Sequence, residues 1–201
     1  MAQRTAGCSP TKDRLLDAAE RLMLAKGFTA TTVEEVCNAA KVTKGSFFHY
    51  FESKERLGKE LLERFCASGA ERHRQLFGKE RNPRKRLNAY IEGMIRMVQD
   101  PAMSRGCLLG TFAQELCDTH PKIRAACEKG FDGWTERLRD ELASAKAQCA
   151  PRASFDPQEL AEHIVAVLEG GLILGKARGD MRVAANSLRH LQAYIRTLLA
   201  P

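Results

Sequence analysis

Apolar positions along this chain recur every three to four residues, and no stretch shows the two-residue alternation of a half-buried strand. The pattern predicts helices throughout. Leu15, Ala18, Ala19, Leu22 and Met23 form the first stripe, opened by Ser9-Pro10 and closed by Lys26-Gly27. Proline suits a first helical position, and glycine suits the residue after a helix end. Val33, Val36, Cys37 and Ala40 form the second stripe. Either Thr31 with Glu34 or Thr32 with Glu35 supplies a capping box ahead of it. Lys41-Val42 turns the chain, and Thr43 caps a third helix through Tyr50. A longer helix is expected from Ser53 to about Phe77, interrupted afterwards by Gly78 and Pro83. Leu87, Tyr90, Ile91, Met94, Ile95 and Val98 mark a fifth helix, ended by Asp100-Pro101. Further helices are expected from Ser104–Gly110 to about Thr119, from Pro121 onward, from Asp156-Pro157 through Lys176, and from Asp180 to about Leu199. The fold class read from this pattern is all-α, with about nine helices.

The organising stretch is Thr31 to Lys54, TTVEEVCNAAKVTKGSFFHYFESK. Two short helices joined by a tight turn describe a helix-turn-helix, whose second helix enters the major groove of DNA. Lys44 and Ser46, on the first turn of that second helix, are placed for base edges, and lysine can donate to guanine O6 and N7. Thr32, His49, Tyr50 and Lys54 are placed for phosphates, which set register rather than sequence. Gly45 is costly inside a helix, by about 1 kcal/mol relative to alanine. Its missing side chain lets the backbone approach a partner closely. Phe28 and Phe47 are expected in the core of this small bundle.

The run Val42-Thr43-Lys44-Gly45-Ser46-Phe47-Phe48-His49-Tyr50-Phe51, followed by Ser53-Lys54-Glu55 and Leu57, resembles the signature of the TetR family of bacterial repressors. Ala18-Ala19, Leu22, Gly27-Phe28, Thr31-Thr32 and Val36 fit the same pattern, so the close match spans roughly residues 11 to 60. One departure is Phe48, where the family usually carries a tyrosine whose hydroxyl would meet a phosphate. Residues 1–10 are small and polar and read as a flexible arm, and the resemblance implies a DNA-binding domain over 11–54 and a helical sensor and dimerisation domain over 55–201.

Composition adjusts this picture more than it drives it. The net charge of +7 suits a polyanionic partner. Yet residues 1–60 hold ten basic and eight acidic side chains, so DNA recognition rests on where individual lysines stand. The densest basic segment, Arg81 to Arg86, reads as a solvated loop and helix start. No apolar run reaches the ~20 residues of a membrane helix. Seven cysteines, an odd number without a CxxC pair, fit a reducing cytoplasm rather than a disulfide framework or a metal site. Nothing places a histidine in a defined relation to a cysteine, and no nucleophile motif occurs, so neither an enzyme nor a cofactor is expected.

Cys107 is the candidate sensor. It follows Gly106 and Arg105 at an expected helix start, where the helix N-terminus and a nearby cation favour the reactive thiolate. The alternative reading from local chemistry is a buried cysteine acting as a small hydrophobe. Arg105-Gly106-Cys107-Leu108-Leu109-Gly110, with Ala113 and Glu115-Leu116, is similar to the NemR-like branch of the TetR family, whose members respond to electrophiles and reactive chlorine species. That resemblance implies a sensing role for Cys107 and gives Lys176, in Gly175-Lys176-Ala177, the place of an amine that bonds to oxidised sulfur. A noncovalent hydrophobic inducer is the alternative, as in efflux regulators, and Cys107 would then be structural. Tyr90, Met94, Phe112, Leu116, Phe131 and Trp134 are candidates to line a ligand pocket. The last two helices read as a homodimer interface. Ala184, Leu188, Leu191, Ile195 and Leu198 form a narrow seam, and Gly170, Gly171 and Gly175 leave one side of the preceding helix bare. The expected partners are therefore operator DNA, an electrophile or small-molecule inducer, and a second copy of the chain, with no membrane.

Overall fold

The computed structural model describes residues 9–77, 80–101 and 106–200. Among these residues there are nine helices and no strand, as the apolar spacing predicts. They are α1 (Pro10–Lys26), α2 (Val33–Ala40), α3 (Lys44–Tyr50), α4 (Lys54–Phe77), α5 (Pro83–Gln99), α6 (Leu108–Leu116), α7 (Pro121–Cys149), α8 (Pro157–Arg178) and α9 (Arg182–Leu198). No helix among the described residues is long and apolar enough to cross a membrane.

Local chemistry sets most helix ends. Ser9 accepts from the Thr11 amide ahead of Pro10, and Gly27, at φ 87°, ends α1 with its amide on the Met23 carbonyl. Of the two capping boxes open to the sequence, the chain uses Thr32 with Glu35. Thr31 is instead buried, donating its hydroxyl to the Gly27 carbonyl at 2.7 Å. Lys41 closes α2 in the left-handed region at φ 55°, the only described non-glycine residue with a positive φ. Asp156 accepts from Gln158 and Glu159 and opens α8. The sixth helix is shorter than its expected span and starts at Leu108, after Gly106 and Cys107.

The backbone divides into two compact units. The first holds residues 1–65 and 108–127, so it takes the start of α4 and all of α6 along with the helix-turn-helix. Its interior is built from Leu15, Ala18, Ala19 and Met23 of α1, Val36, Cys37 and Ala40 of α2, and Phe47 of α3, all buried. Phe28 is 4% exposed, and its ring meets the edge of Phe112 of α6 at 5.5 Å between centroids. Gly58 makes that fit possible, because a Cβ there would lie 2.9 Å from the Phe28 ring and 3.3 Å from Phe112.

The second unit holds residues 66–107 and 128–201. Here α9 packs against α8 and α5. Ala184, Leu188, Leu191 and Ile195 are 0–3% exposed within the single chain. The expected intermolecular seam is therefore core. Two of the three glycines of α8 have the same internal role: a Cβ on Gly171 would lie 3.0 Å from the Ala184 Cα, and one on Gly175 would lie 2.9 Å from the Met181 sulfur. Gly170 faces open space. Beside it, His163, Ala166, Val167, Leu174, His190 and Tyr194 line a shallow groove of about 520 Å³. Ile173, Leu174 and Tyr194 are each about half exposed.

Candidate nucleic-acid interface and sensor site

The outer face of α3 presents Lys44, Gly45, Phe48 and His49, all exposed, with Ser46 and Tyr50 half-buried. Thr43 caps the helix by accepting from the Ser46 amide at 3.1 Å, and its hydroxyl meets that of Ser46 at 3.1 Å. The Lys44 ammonium is 3.0 Å from Glu34, in a pair whose side chains are both more than 60% exposed. Such a surface pair contributes at most about 1 kcal/mol, so it exchanges readily for a base or a phosphate. The Tyr50 hydroxyl is hydrogen-bonded to Ser9 at 2.9 Å, and the His49 ring lies edge-on to the Tyr50 ring. Thr32 is exposed at the start of α2, where free amides suit an anion.

A Cβ at Gly45 would meet only the Thr43 hydroxyl, at an ordinary 3.7 Å. Internal packing therefore does not require glycine. Gly45→Ala is expected to raise thermal stability, by up to about 1 kcal/mol from helix propensity, while weakening binding to duplex DNA. Thermal melts and gel shifts on the same preparations check this. A tighter complex would show that the bare position serves no close approach.

The sequence placed Lys54 at a phosphate, and here the structure differs. Its ammonium donates to the carbonyls of Phe28, Thr29 and Thr31 at 3.0, 3.4 and 2.9 Å, and it lies 4.4 Å from the Phe28 ring centroid. Burial lowers its pKa, partly countered by Glu115. Lys54 thus holds the turn ahead of α2. Glu115 of α6, whose part sequence reasoning missed, completes this arrangement by accepting from the Phe28 and Thr29 amides, both at 2.7 Å. Burial pushes the Glu115 carboxyl up, but the hydrogen bonds from Thr29 and Phe28 and the Lys54 charge reverse this and leave it below its ordinary value. A Cβ at Gly27 would lie 2.8 Å from the Glu115 carboxylate, so the close approach and the positive φ both call for glycine.

Cys107 is 8% exposed and directly precedes α6. Arg105, the cation expected beside it, lies outside the described residues. The partner found for Cys107 is an acid: Glu169 of α8 is hydrogen-bonded to it. Burial raises the Glu169 pKa, an effect that this hydrogen bond partly offsets, and the carboxylate's Oε1 has no hydrogen-bond partner among the described residues. The signal available for Glu169 was that it is the only charge from Ile164 to Gly175. Lys176, two turns further along α8, is exposed. Cys37, by contrast, is buried under α2, and burial pushes its thiol pKa up. No group of metal ligands occurs among the described residues.

The six expected pocket residues divide between the units. Phe112 and Leu116 are buried in the first. In the second, Tyr90 accepts from the Trp134 indole at 2.8 Å, while Met94 is buried and Phe131 is part-exposed. His73, also missed, packs its ring tilted against Phe77 and edge-on to Tyr90, with centroids 4.3 and 5.4 Å apart. Burial and then the Arg137 charge bring its pKa down to about 4, so the ring is neutral at pH 7.

A capped three-helix head that exposes a lysine, a bare glycine and a histidine on its third helix defines a DNA-binding helix-turn-helix protein. Family models agree: residues 15–61 match "Bacterial regulatory proteins, tetR family", and residues 83–191 match "Tetracyclin repressor-like, C-terminal domain". The chain belongs to the TetR family of transcriptional regulators and is a repressor of that family, not an enzyme. It is 31% identical over 188 residues to the transcriptional repressor NemR of Escherichia coli K12, covering 93% of this chain and 94% of NemR. It is 33% identical over 156 residues to the transcriptional regulator AcuR of Cereibacter sphaeroides, covering 75% and 69%. The solved reduced form of E. coli NemR superposes with a TM-score of 0.81 at 30% identity, covering 91% of this chain and 95% of that one. A TetR regulatory protein from Rhodobacter sphaeroides gives 0.84 at 27% identity, covering 92% and 98%.

Proposed function

We propose that this repressor binds its operator as a homodimer and is released when an electrophile or oxidant modifies Cys107. The observation that carries this reading is the covalent link between Cys107 and Leu108, the first residue of α6. The same helix holds the turn before α2 through Glu115. A group added to the sulfur is carried one peptide bond from an element that braces the reading head. The similarity to NemR, whose solved form is a reduced one, supports a redox-sensitive thiol. Hypochlorous acid would convert the thiol to a sulfenyl chloride and water, and attack by an amine would then form an S–N bond and release HCl. Lys176 is the amine assigned to that second step. On the DNA, Lys44 and Ser46 meet base edges, while Thr32, His49 and Tyr50 meet phosphates.

Cys107→Ser is expected to bind operator normally and to stay bound when methyl vinyl ketone or hypochlorite is added, whereas the parent protein dissociates. Gel shifts with a duplex selected from a random library check this. Release of the variant at the parent's dose would favour the second reading, a noncovalent inducer. That reading is favoured by one observation: His73 Nε2 and Arg137 Nε are both buried without hydrogen-bond partners in the second unit, which also holds the Tyr90–Trp134 pair. Unsatisfied buried polar groups are costly, and a ligand would relieve them.

A further inference from the structure

Sequence reasoning looked for a cation beside Cys107, and the structure supplies a carboxyl. Glu169 stands in the apolar run of α8, mostly buried, with its carboxylate hydrogen-bonded to the Cys107 thiol and its Oε1 without a partner among the described residues. A carboxylate beside a thiol does not promote ionisation of the sulfur in the resting protein. It does give the thiol proton somewhere to go. We propose that Glu169 is the general base that accepts the Cys107 proton as the sulfur adds to an electron-poor alkene. This inference rests on the reading of Cys107 as the modified residue.

The step balances without any further reactant. A sulfur lone pair forms the S–C bond to the β-carbon of an enal, enone or maleimide, and the alkene electrons move onto the carbonyl oxygen as an enolate. The S–H proton passes to Glu169. Glu169 then returns it to the α-carbon, so the net change is addition of S–H across the double bond.

Three features fit this role. The thiol and the carboxylate are hydrogen-bonded to each other, the relation a general base needs to the proton it accepts. An under-solvated carboxylate gains from taking a proton, and burial moves Glu169 toward the range of the thiol it serves. Among the described residues, a Cβ placed on Gly106, the sulfur's neighbour in the chain, would meet nothing within 4 Å. A planar electrophile has an approach there that a larger residue would narrow.

A charge that merely restrained the thiol would act in the opposite direction, so the sign of one rate decides the matter. The full-length protein is treated with N-ethylmaleimide and with methyl vinyl ketone, and adducts at each cysteine are followed by peptide mass spectrometry. Glu169→Gln removes the base and keeps the shape. It is expected to slow the Cys107 adduct at least tenfold while adducts at Cys117 and Cys149 form at the parent rate. Glu169→Asp, which keeps the carboxylate, is expected to fall between the two, and it carries the test should the glutamine variant not fold. Equal or faster labelling of Cys107 in Glu169→Gln overturns the role of Glu169 while leaving Cys107 as the sensor. Absence of any Cys107 adduct in the parent protein, with Cys117 and Cys149 labelled, overturns both.

Discussion

Glu115→Ala is expected to lower the melting temperature and to cost the protein most of its grip on DNA. The substitution removes the acceptor for the Phe28 and Thr29 amides and the anion facing Lys54. Hydrogen bonds to a charged group contribute about 1.5–3 kcal/mol each, and water can replace part of the loss at a half-exposed site. A net cost of about 2 kcal/mol corresponds to a fall of roughly 4–8 °C for a chain of this size. The turn it holds leads directly into Thr32, the N-cap of α2, so loosening it lets the recognition helix wander from the groove. An affinity loss of about tenfold is equivalent to only about 1.4 kcal/mol of that disorder. Acidity provides an independent check. Glu115 is held below its ordinary value of 4.5 in the folded chain. Its contribution is therefore complete above that value and is lost as the pH falls below it, through the folded pKa. The melting temperature of the parent protein should drop more between pH 5 and about pH 3 than that of Glu115→Gln, which cannot titrate. Parallel pH curves for the two proteins would remove Glu115 from this account.

The second large effect is expected at Leu174. Charge placed in the old seam, as in Leu191→Glu, would enter the core between α8 and α9 and unfold the chain. Leu174 is 49% exposed and lies in the groove with Tyr194 and bare Gly170. In the proposed homodimer, with this groove as its two-fold face, each substitution would occur twice, and Leu174→Arg would set two unpaired cations into one apolar contact. Sedimentation is expected to show a folded monomer with parent-like helical content and at least a hundredfold weaker operator binding, because a single head reads one half-site of two. A dimer that survives Leu174→Arg would move the interface away from this face.

Sequence alone indicated about nine helices and many of their ends, though not those of α6, because capping is local. Ser9-Pro10, Thr32 with Glu35, and Asp156-Pro157 each act within one turn. The exposed residues of α3 were legible for the same reason. Lys54 and Glu115 were not, since their partners lie 23 to 26 and 86 to 87 residues away. Nothing near Lys54 distinguishes a lysine aimed at a phosphate from one aimed at three carbonyls. The spacing of Ala184 to Leu198 was read as an interface between two copies, because periodicity marks an apolar face but does not say which element covers it. Here α8 and α5 cover it within the chain. Glu169 left the one long-range hint, a lone charge in an apolar run, and the pattern that marks such a residue as buried does not name its partner.

The placement of α6 in the same compact unit as the reading head bears on how such proteins recombine. A head joined to a foreign sensor at the end of α3 would leave behind Phe112 and Glu115, which fill the hollow beside Gly58 and hold the turn at Phe28. The heritable module is discontinuous: an N-terminal piece and a short internal helix that have to travel together. Chimaeras that exchange residues 1–65 without 108–127 inherit a mismatch at this joint, and repair is to be sought in α6 before the DNA-facing residues are altered.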